Sequence, residues 1–395
     1  MTSVIKQPAV IQEKIFIHQA IQYALNQKFP FSLWKTPNQN EKYLIISQHG
    51  LKFVDEINLE EVQPGFAFAP FLPDKKKIIF PADFLYRFED GLLKESPSSE
   101  SAPRFELSQI TISKNDNQAS LNYAAEIENI KTIPDFKQIV DAGIKRIETG
   151  DFEKIVPSRV KDIPIGSDFD ALEAFDQLCE KHPLAMVSLV SSNETGTWLG
   201  ASPELLVSVV GNKFKTVALA GTLPYAPEVN IKSVAWTQKE IEEQALVCRY
   251  IISCFKKIRL REYEEHGPKT IVAGNVMHLK TEYEVDMQVA NFPQLGSVML
   301  KLLHPTSAVC GMPLDNALKF LKENEGYQRQ FYSGYLGPVN INKESHIFVN
   351  LRCMQLFAEK IKLYAGAGVT ANSNPDQEWI ETEMKMLNLQ KIITQ

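Results

Sequence analysis

The chain closes with Tyr364-Ala-Gly-Ala-Gly-Val-Thr370 and Asn374-Pro-Asp-Gln-Glu-Trp-Ile-Glu-Thr-Glu-Met-Lys385, and the other motifs are interpreted from there. The first half predicts an apolar strand that runs into a glycine turn. In the second half, Asn374 is predicted to cap a helix, because its side chain can accept hydrogen bonds from the free backbone N–H groups. Pro375 then takes the first helical position, where its missing N–H leaves no bond unmade.

The predicted helix carries three charged residues on one face. Helical spacing puts Glu378, Glu381 and Lys385 at positions i, i+3 and i+7. Two carboxylates and an amine beside a glycine turn suggest a site for a metal ion and an acidic ligand. A solvated charged face would give the same pattern, since exposed charges are the rule in proteins. Taken alone, the helix leaves both interpretations open.

The composition is that of an ordinary globular protein. The chain has 395 residues, of which 44% are hydrophobic and 23% charged, and its formal net charge is −6. That length allows two or three domains, or one large domain. Because the net charge is negative and no basic stripe occurs, nucleic acid is not expected as a partner. No stretch approaches the ~18 continuous apolar residues of a membrane span, so no membrane association is expected.

The cysteines are odd in number and scattered, without a Cys-x-x-Cys pair: Cys179, Cys248, Cys254, Cys310 and Cys353. This spacing fits reduced thiols better than a disulfide framework or a zinc site. The first residues, Met1-Thr-Ser-Val-Ile-Lys6, contain no apolar signal region. A cytoplasmic location is therefore expected.

Strands and helices follow one another without strict β-α-β alternation. This order predicts an α+β fold with large, mostly antiparallel β-sheets flanked by helices. Residues 95–120, rich in Ser, Pro, Glu and Asn, predict a loop or linker. It separates an N-terminal part, residues 1–120, from a region of residues 130–395. We expect both parts to belong to one fold.

Two local predictions concern segments near the later motifs. A helix is predicted at about residues 237–257, with an inward face made of Ile241, Ala245, Leu246 and Ile252. A strand that begins at Phe214 is predicted to end at Gly221-Thr222.

Gly366-Ala-Gly-Val-Thr-Ala371 also matches the loose dinucleotide-binding fingerprint G-x-G-x-x-A. That fingerprint needs a βαβ unit and an acidic residue about twenty positions later, whereas 24 residues follow Ala371. Nicotinamide-dependent redox chemistry is kept as an alternative from another class. His278 and His304 stand alone beside apolar residues, a setting more typical of core histidines than of metal ligands.

Short segments in a fixed order connect the C-terminal stretch with the rest of the chain. They are Lys154-Ile-Val-Pro-Ser-Arg159, Leu199-Gly-Ala-Ser-Pro-Glu204, Ala218-Leu-Ala-Gly-Thr222, Lys239-Glu-Ile-Glu-Glu243, His278-Leu-Lys-Thr281, Leu303-His-Pro-Thr-Ser-Ala-Val-Cys-Gly-Met-Pro313 and Tyr332-Ser-Gly-Tyr-Leu-Gly337. Together with the Gly-Ala-Gly turn and its helix, they resemble the chorismate-utilising enzymes. This family includes isochorismate synthases, salicylate synthases and the large subunits of anthranilate and aminodeoxychorismate synthases.

The resemblance runs from about residue 130 to the C-terminus, and residues 1–120 match poorly, as the variable N-terminal part of this family usually does. Each motif alone is unspecific, whereas their joint order and spacing are specific. The sequence departs from the family pattern at Ser307 and Cys310, where the family has Pro and Gly. It also has Glu240 for the family's Asp and Gln244 for its His. The carboxylate at position 240 is kept, but a role for the missing histidine is in doubt.

The resemblance implies a magnesium site. Glu243 and Glu381 would be the direct ligands, and Glu240 and Glu378, one turn N-terminal to each, would hold metal-bound waters. Two exposed charged helices would be the alternative. Like charges at i, i+3 would then repel by ~0.2–0.5 kcal/mol, a cost that a bound cation removes.

The resemblance also implies a general base and a general acid. Lys154 would be the base, which requires a neutral amine, a form that burial or neighbouring cations favour. Glu204 would be the acid, so its pKa must rise from ~4.3 to stay protonated near neutral pH. A lysine at a strand edge and a solvated turn carboxylate are the alternatives for these two positions.

Chorismate, a small dicarboxylate, is the implied substrate. Arg352 and Lys385 are candidates for binding the carboxylate that the metal does not hold. Backbone N–H groups of the turn at Gly366 and Gly368 could add donors, since glycine lets a ligand come close. By resemblance, Gly221 and Thr222 would flank the ring of chorismate. His278 would lie near the reacting hydroxyl or the enolpyruvyl side.

Lys154 separates the members of the family best. Anthranilate-type enzymes, which add ammonia, usually carry Gln there, and aminodeoxychorismate synthases often carry a nucleophilic Lys where this chain has Ala220. Water is therefore the expected nucleophile, and isochorismate synthase is the expected activity. Salicylate synthase, an anthranilate synthase component I-like enzyme and a catalytically silent chorismate-binding subunit are the alternatives. A monomer is expected, as is common among such synthases.

Overall fold

The computed structural model describes residues 12–94, 135–166 and 169–393, and every structural statement below concerns these residues. The linker predicted at residues 95–120 lies outside them. No helix in the described ranges has both the length and the apolar character needed to cross a membrane. All five cysteines are free thiols.

This described part forms seven α-helices and twenty β-strands. The helices are α1 (Glu13–Asn26), α2 (Phe136–Glu148), α3 (Ala171–Lys181), α4 (Gln238–Lys257), α5 (Leu295–Leu303), α6 (Leu314–Asn324) and α7 (Pro375–Ile393). The strands are β1 (Phe31–Lys35), β2 (Lys42–Ile46), β3 (Lys52–Val54), β4 (Gly65–Ala69), β5 (Lys77–Pro81), β6 (Phe84–Glu89), β7 (Leu92–Lys94), β8 (Lys154–Ile155), β9 (Ser158–Pro164), β10 (Met186–Ser192), β11 (Gly196–Ser202), β12 (Leu205–Val210), β13 (Lys213–Pro224), β14 (Glu264–Ala273), β15 (Val276–Asp286), β16 (Gly311–Met312), β17 (Tyr335–Val339), β18 (Glu344–Val349), β19 (Cys353–Leu356) and β20 (Lys360–Gly366).

Two nine-stranded sheets contain nearly all of the strands. The first sheet has the order β7-β6-β2-β1-β10-β11-β19-β20-β9, and the second has the order β14-β15-β13-β12-β18-β17-β4-β5-β3. Strands β16 and β8 form a separate two-stranded ladder. Every pairing is antiparallel. The predicted α+β class with antiparallel sheets is confirmed.

The N-terminal strands form one end of each sheet. In the first sheet, β1 pairs with β10, with Phe31 opposite Ser191. In the second, β4 pairs with β17, with Ala69 opposite Tyr335. Strand contacts between the two parts of the chain therefore continue the sheets without a break.

The sheets pack face to face, and helices cover the outer faces. One apolar cluster joins side chains of both sheets, among them Trp34, Phe66, Phe68 and Trp198. Because side chains alternate along a strand, Phe66 and Phe68 point into this layer, while Ala67 and Ala69 point to the opposite face, under the helices. Helices α1, α3 and α7 pack on the first sheet, and α2, α4, α5 and α6 belong to the cluster of the second.

The cap predicted for the C-terminal helix is confirmed. Asn374 Oδ1 accepts hydrogen bonds from the backbone N–H groups of Asp376, at 3.0 Å, and Gln377, at 3.2 Å. Helix α7 starts at Pro375, as the sequence predicts.

The inward face predicted for α4 is wrong in part. Ile241 is 48% exposed and Ala245 is exposed, whereas Glu240 and Gln244 are buried. Gln244 can point inward because its Nε2 donates to Ala218 O, at 3.3 Å, and to Thr281 Oγ1, at 3.0 Å. A hydrophobicity pattern assigns these two polar residues to the solvent, so it predicts the wrong buried face for the helix.

The end predicted for the strand that begins near Phe214 is also wrong. Strand β13 continues to Pro224, and its pairing with β15 shifts register between Ala220 and Leu223. Gly221 lies in this irregularity with a φ of +69°, a conformation that glycine adopts without strain. The glycine therefore marks a bulge within the strand.

Candidate active site

Lys154 lies at the start of β8, where the two-stranded ladder places Met312 opposite it. Its side chain is fully buried, and Nζ donates a hydrogen bond of 2.9 Å to Glu243 Oε1 on α4. Burial opposes ionisation of Glu243, but the Lys154 ammonium outweighs this effect and holds the pKa of that carboxyl below its usual value. Two predicted site residues from distant parts of the sequence thus form one buried ion pair.

Glu204 lies in the turn between β11 and β12 and is 5% exposed. Its carbonyl accepts a hydrogen bond of 2.9 Å from Val349 N, which ties the turn to β18. Burial raises the pKa of Glu204 to about 8, even though Lys154 and Lys385 act in the opposite direction. The turn therefore holds a carboxylic acid that stays protonated at neutral pH, as the sequence requires for a general acid.

The C-terminal helix brings Lys385 to the glycine turn. Lys385 Nζ donates to Gly366 O at 2.9 Å and to Glu381 Oε1 at 2.7 Å. A Cβ atom on Gly368 would lie 2.9 Å from Glu243 Cδ and 3.2 Å from Lys154 Cε. A side chain at position 368 would therefore displace the ends of the Glu243 and Lys154 side chains, so glycine lets this ion pair lie against the backbone.

His278, on β15, connects Gly221 with Arg352. Its Nδ1 lies 2.7 Å from Gly221 O, and because a carbonyl only accepts, the ring proton is assigned to Nδ1. Nε2 then accepts a bond of 3.3 Å from an Arg352 N–H group. Burial first, and then the charge of Arg352, lower the pKa of His278 to about 3, so the ring is neutral. Burial also lowers the pKa of Arg352, to about 10.

One pocket collects nine of the thirteen residues that the sequence predicts for the site. They are Glu204, Gly221, Thr222, Glu243, His278, Arg352, Gly366, Gly368 and Lys385. Lys154 joins them through its bond to Glu243. Residues from β13, α4, β15, β20 with its following turn, α7 and the turns at Glu204 and Arg352 therefore converge on one cavity.

The walls of this pocket include residues that the sequence did not single out. Tyr332 and Tyr364 stack with ring centroids 5.1 Å apart, and both line the cavity. Tyr332 begins one of the motif segments and Tyr364 lies two residues before Gly366 of the Gly-Ala-Gly turn, so their positions were the available signal. Neither position, however, distinguishes a pocket wall from a core ring.

Two predicted acidic residues lie beside the pocket and have partners of their own. Glu378 is 1% exposed, and its Oε1 accepts a bond of 2.6 Å from Lys239 Nζ. Burial and the charge of Glu381 raise the pKa of Glu378 to about 7. Glu240 accepts bonds from the backbone N–H and hydroxyl of Thr237, which makes it part of a capping box at the start of α4.

Lys239 is a residue that sequence reasoning missed, although it begins a motif segment. Burial lowers its pKa, but the carboxylates of Glu378 and Glu381 more than compensate and raise it above the usual value. The ion pair connects α4 with α7, which pattern reasoning from either helix alone does not predict.

The donor set fits a hard cation, although it is not assembled around one. No group of three His, Cys, Asp or Glu side chains in the described ranges is close enough to hold a metal as it stands. Instead, three of the glutamates form ion pairs with lysines: Glu243 with Lys154, Glu378 with Lys239, and Glu381 with Lys385. Glu378 Oε2 is buried without a hydrogen-bond partner. Carboxylate oxygens are the ligands that Mg²⁺ prefers, and a buried oxygen without a partner is a position that a cation or its water could satisfy.

Comparison with known proteins identifies the family. The sequence profile described as "Chorismate binding enzyme" matches residues 90–394, which is most of the chain. The chain belongs to this family. The isochorismate synthase DhbC of Bacillus subtilis (strain 168) is 30% identical over 285 residues, covering 68% of this chain and 71% of that protein. The isochorismate synthase EntC of Escherichia coli (strain K12) is 26% identical over 309 residues, covering 75% and 78%.

The solved structure of MenF, the menaquinone-specific isochorismate synthase of Escherichia coli, superposes on this chorismate-binding enzyme with a TM-score of 0.74 at 21% identity. The superposition covers 95% of this chain and 91% of that one. At this identity it shows a shared fold. The resemblance drawn from the motifs is thereby confirmed at the level of family and fold.

Proposed function

We propose that this chorismate-binding enzyme is an isochorismate synthase, an isomerase that converts chorismate to isochorismate. The observation that carries the proposal is that buried Lys154 bonds Glu243, which lines one pocket together with buried Glu204, whose pKa burial raises to about 8. Lys154 and Glu204 are the base and acid that addition of water and loss of a hydroxyl require. The names of the relatives support the same activity.

In the proposed reaction, a water molecule adds to one ring carbon while the double bonds shift and the ring hydroxyl departs. The ion pair with Glu243 favours the ammonium form of Lys154, so Lys154 would first have to lose its proton; the neutral amine would then take a proton from the attacking water. Glu204 gives its proton to the departing hydroxyl, which leaves as water. One water is consumed and one is released, so the product is an isomer of the substrate.

The cations and backbone donors of the pocket would bind the substrate carboxylates. Arg352 offers a planar pair of N–H donors, and Lys385, on α7, offers a point charge. The N–H groups around Gly366 and Gly368 could add donors that a side chain would block. Gly221 and Thr222 would flank the ring, and His278 would hold Arg352 in place.

We propose Mg²⁺ as the cofactor, with Glu243 and Glu381 as direct ligands. Glu378 would hold a metal-bound water through its unpartnered oxygen, and Glu240 is the fourth proposed contact. When bound, the cation would neutralise and orient a substrate carboxylate. Glu243 and Glu381 are each paired with a lysine, so the cation would have to take the place of these ion pairs; the unpartnered Oε2 of Glu378 is what supports a cation here.

We further propose that the enzyme works as a monomer in the cytoplasm, without a nucleic-acid partner. The five free cysteines support a reducing compartment. Light scattering of the purified protein would test the oligomeric state.

The function is tested by incubating purified protein with chorismate and Mg²⁺ and separating the products by chromatography. Isochorismate alone is the expected product. Salicylate together with pyruvate would instead identify a salicylate synthase, and anthranilate formed with added ammonium would contradict the role of Lys154 as the base for water. No turnover of chorismate would leave a silent binding subunit, and nicotinamide binding in a fluorescence titration would favour redox chemistry.

A further inference from the structure

A second cavity lies against the active-site pocket. Its volume is about 550 Å³, within the ~300–1,000 Å³ range of small-molecule sites. Pro203, Arg352 and Lys385 line both spaces. We call it the side cavity.

The walls of the side cavity are mainly apolar. They include Val217 of β13, Ala273 of β14, Phe348 of β18 and Leu389 of α7. The positive charges of Arg352 and Lys385 stand where the side cavity meets the active-site pocket. The lining also includes Lys181 and Lys280, of which Lys280 is paired with Glu282 at 2.6 Å. A largely apolar space with cations where it meets the active-site pocket fits a ligand with an apolar body and one anionic group.

Arg352 is the better candidate of the two cations. Lys385 is paired with Glu381 at 2.7 Å, whereas Arg352 donates to the neutral ring of His278 at 3.3 Å. Burial also lowers the pKa of Arg352 to about 10, as expected for a guanidinium that is poorly compensated by carboxylates. An anion entering from the side cavity would meet the less neutralised of the two charges.

We propose that the side cavity binds an aromatic carboxylic acid, with its ring system between the apolar walls and its carboxylate on Arg352. This rests on the proposed function, in which Arg352 also binds a substrate carboxylate, so the acid and chorismate compete. The product of that reaction, a cyclohexadiene carboxylate, becomes aromatic after one elimination. Aromatic carboxylic acids are therefore the class of compound that elimination reactions on this product would generate. Binding of such an acid would inhibit the conversion of chorismate by this enzyme.

The probe is 1-hydroxy-2-naphthoate, and its binding to the full-length protein is measured by isothermal titration calorimetry, which does not depend on turnover. We expect saturable binding of one molecule per chain. In steady-state assays, it should raise the apparent KM for chorismate and leave kcat unchanged.

Two variants locate the probe. Ala273→Phe fills the side cavity and should weaken naphthoate binding at least tenfold, while kcat/KM for chorismate stays within about twofold. The matched control, Ala245→Phe, makes the same change on the exposed face of α4 and should leave both unchanged. Val272→Phe, at a neighbouring lining position, replaces Ala273→Phe if thermal unfolding shows that the latter does not fold.

The proposal is overturned if the wild-type protein does not bind naphthoate at millimolar concentration. It is equally overturned if folded Ala273→Phe binds as tightly as wild type, since the probe would then occupy the active-site pocket. If naphthoate lowers kcat without raising KM, the two ligands do not compete, and naphthoate and chorismate do not share Arg352. If naphthoate binds as expected but chorismate is not turned over, the function proposed above fails and the side cavity stands as a binding site.

Discussion

Lys154 Nζ and Glu243 Oε1 lie 2.9 Å apart, so the proposed general base and a proposed magnesium ligand form one buried ion pair. The pair joins β8 to α4 directly beside the glycine turn, where a side chain at Gly368 would displace the ends of both partners. A change at either residue should therefore affect both catalysis and the response to the cation.

Lys154→Ala should lower kcat by about 10²–10⁴-fold, the usual contribution of a general base. Chorismate binding should be retained, because the proposed carboxylate contacts are unchanged. Product formation is followed by chromatography and binding by calorimetry, with Lys145→Ala on α2 as the control. Near-normal turnover in Lys154→Ala would exclude this lysine as the base.

The same variant also tests the metal without an activity measurement. Removing Lys154 leaves the carboxylate of Glu243 partly buried without its cation, which destabilises the fold. Mg²⁺ should therefore raise the melting temperature of Lys154→Ala more than that of the wild type, since it replaces the lost positive charge. Equal shifts in both proteins would argue against Glu243 as a ligand.

The turnover rate should fall as pH rises through about 8, because Glu204 loses the proton that it donates. The measurement is a kcat profile from pH 6 to 10 at saturating chorismate and Mg²⁺. Glu204→Gln, which keeps the shape but has no acidic proton, should reduce kcat about 10²–10⁴-fold below pH 8, and the difference from wild type should shrink as the pH rises above 8. A rate that stays constant between pH 7 and 9.5 would contradict the assignment.

Glu204 should also make the stability pH-dependent. Its pKa is about 4.5 when exposed and about 8 when folded, so the unfolded chain ionises first. The contribution to stability is therefore complete below about pH 4.5 and is lost progressively as pH rises to about 8. The measured quantity is the melting temperature of Glu204→Gln minus that of wild type. This difference should be roughly a few °C more positive at pH 8 than at pH 4.5. A constant difference would mean that the carboxyl is ionised in the folded protein.

His278 should act by positioning Arg352. His278→Phe removes the acceptor of the Arg352 N–H group, so KM for chorismate should rise about tenfold, or ~1.4 kcal/mol, with kcat within about threefold. His278→Gln can still accept through its amide oxygen and should recover part of the loss. A fall in kcat with unchanged KM, in both variants, would indicate that the imidazole takes part in the chemistry.

Residues 135–395 alone should not form a soluble enzyme, although they contain every proposed catalytic residue. Without the N-terminal strands, β10 and β17 lose β1 and β4 and expose unpaired edges, which promote aggregation. Expression of residues 135–395, compared with the whole chain, should give protein in the insoluble fraction. A monomeric, active fragment would show that the two parts fold independently.

The parts of this molecule that sequence predicts well are those controlled by local interactions. Asn374 and Pro375 define the start of α7 through contacts within four residues, and the run of motifs identifies the family. The buried face of α4 could not be predicted, because Gln244 turns inward only when Ala218 and Thr281 offer partners.

The same limit applies to the site. The glutamates predicted as metal ligands follow from the family resemblance, but the lysines paired with Glu243, Glu378 and Glu381 depend on how elements pack. Lys239 and Glu378 lie more than a hundred positions apart in sequence and meet only because α4 and α7 converge. The side cavity is likewise formed by residues from across the chain, and no pattern in one segment indicates it.

The pairing of N-terminal strands with strands from much later in the chain also affects how the protein folds during synthesis. On the ribosome, β4 is complete long before β17, since Ala69 and its partner Tyr335 are separated by more than 250 residues. At a synthesis rate of about 5–20 residues per second, the wait is on the order of tens of seconds. During that time the apolar segment Gly65–Ala69 has no partner strand from the C-terminal part, and Phe31–Lys35 has none until β10 is made. Nascent chains of this protein should therefore depend on holding chaperones until the last third has emerged.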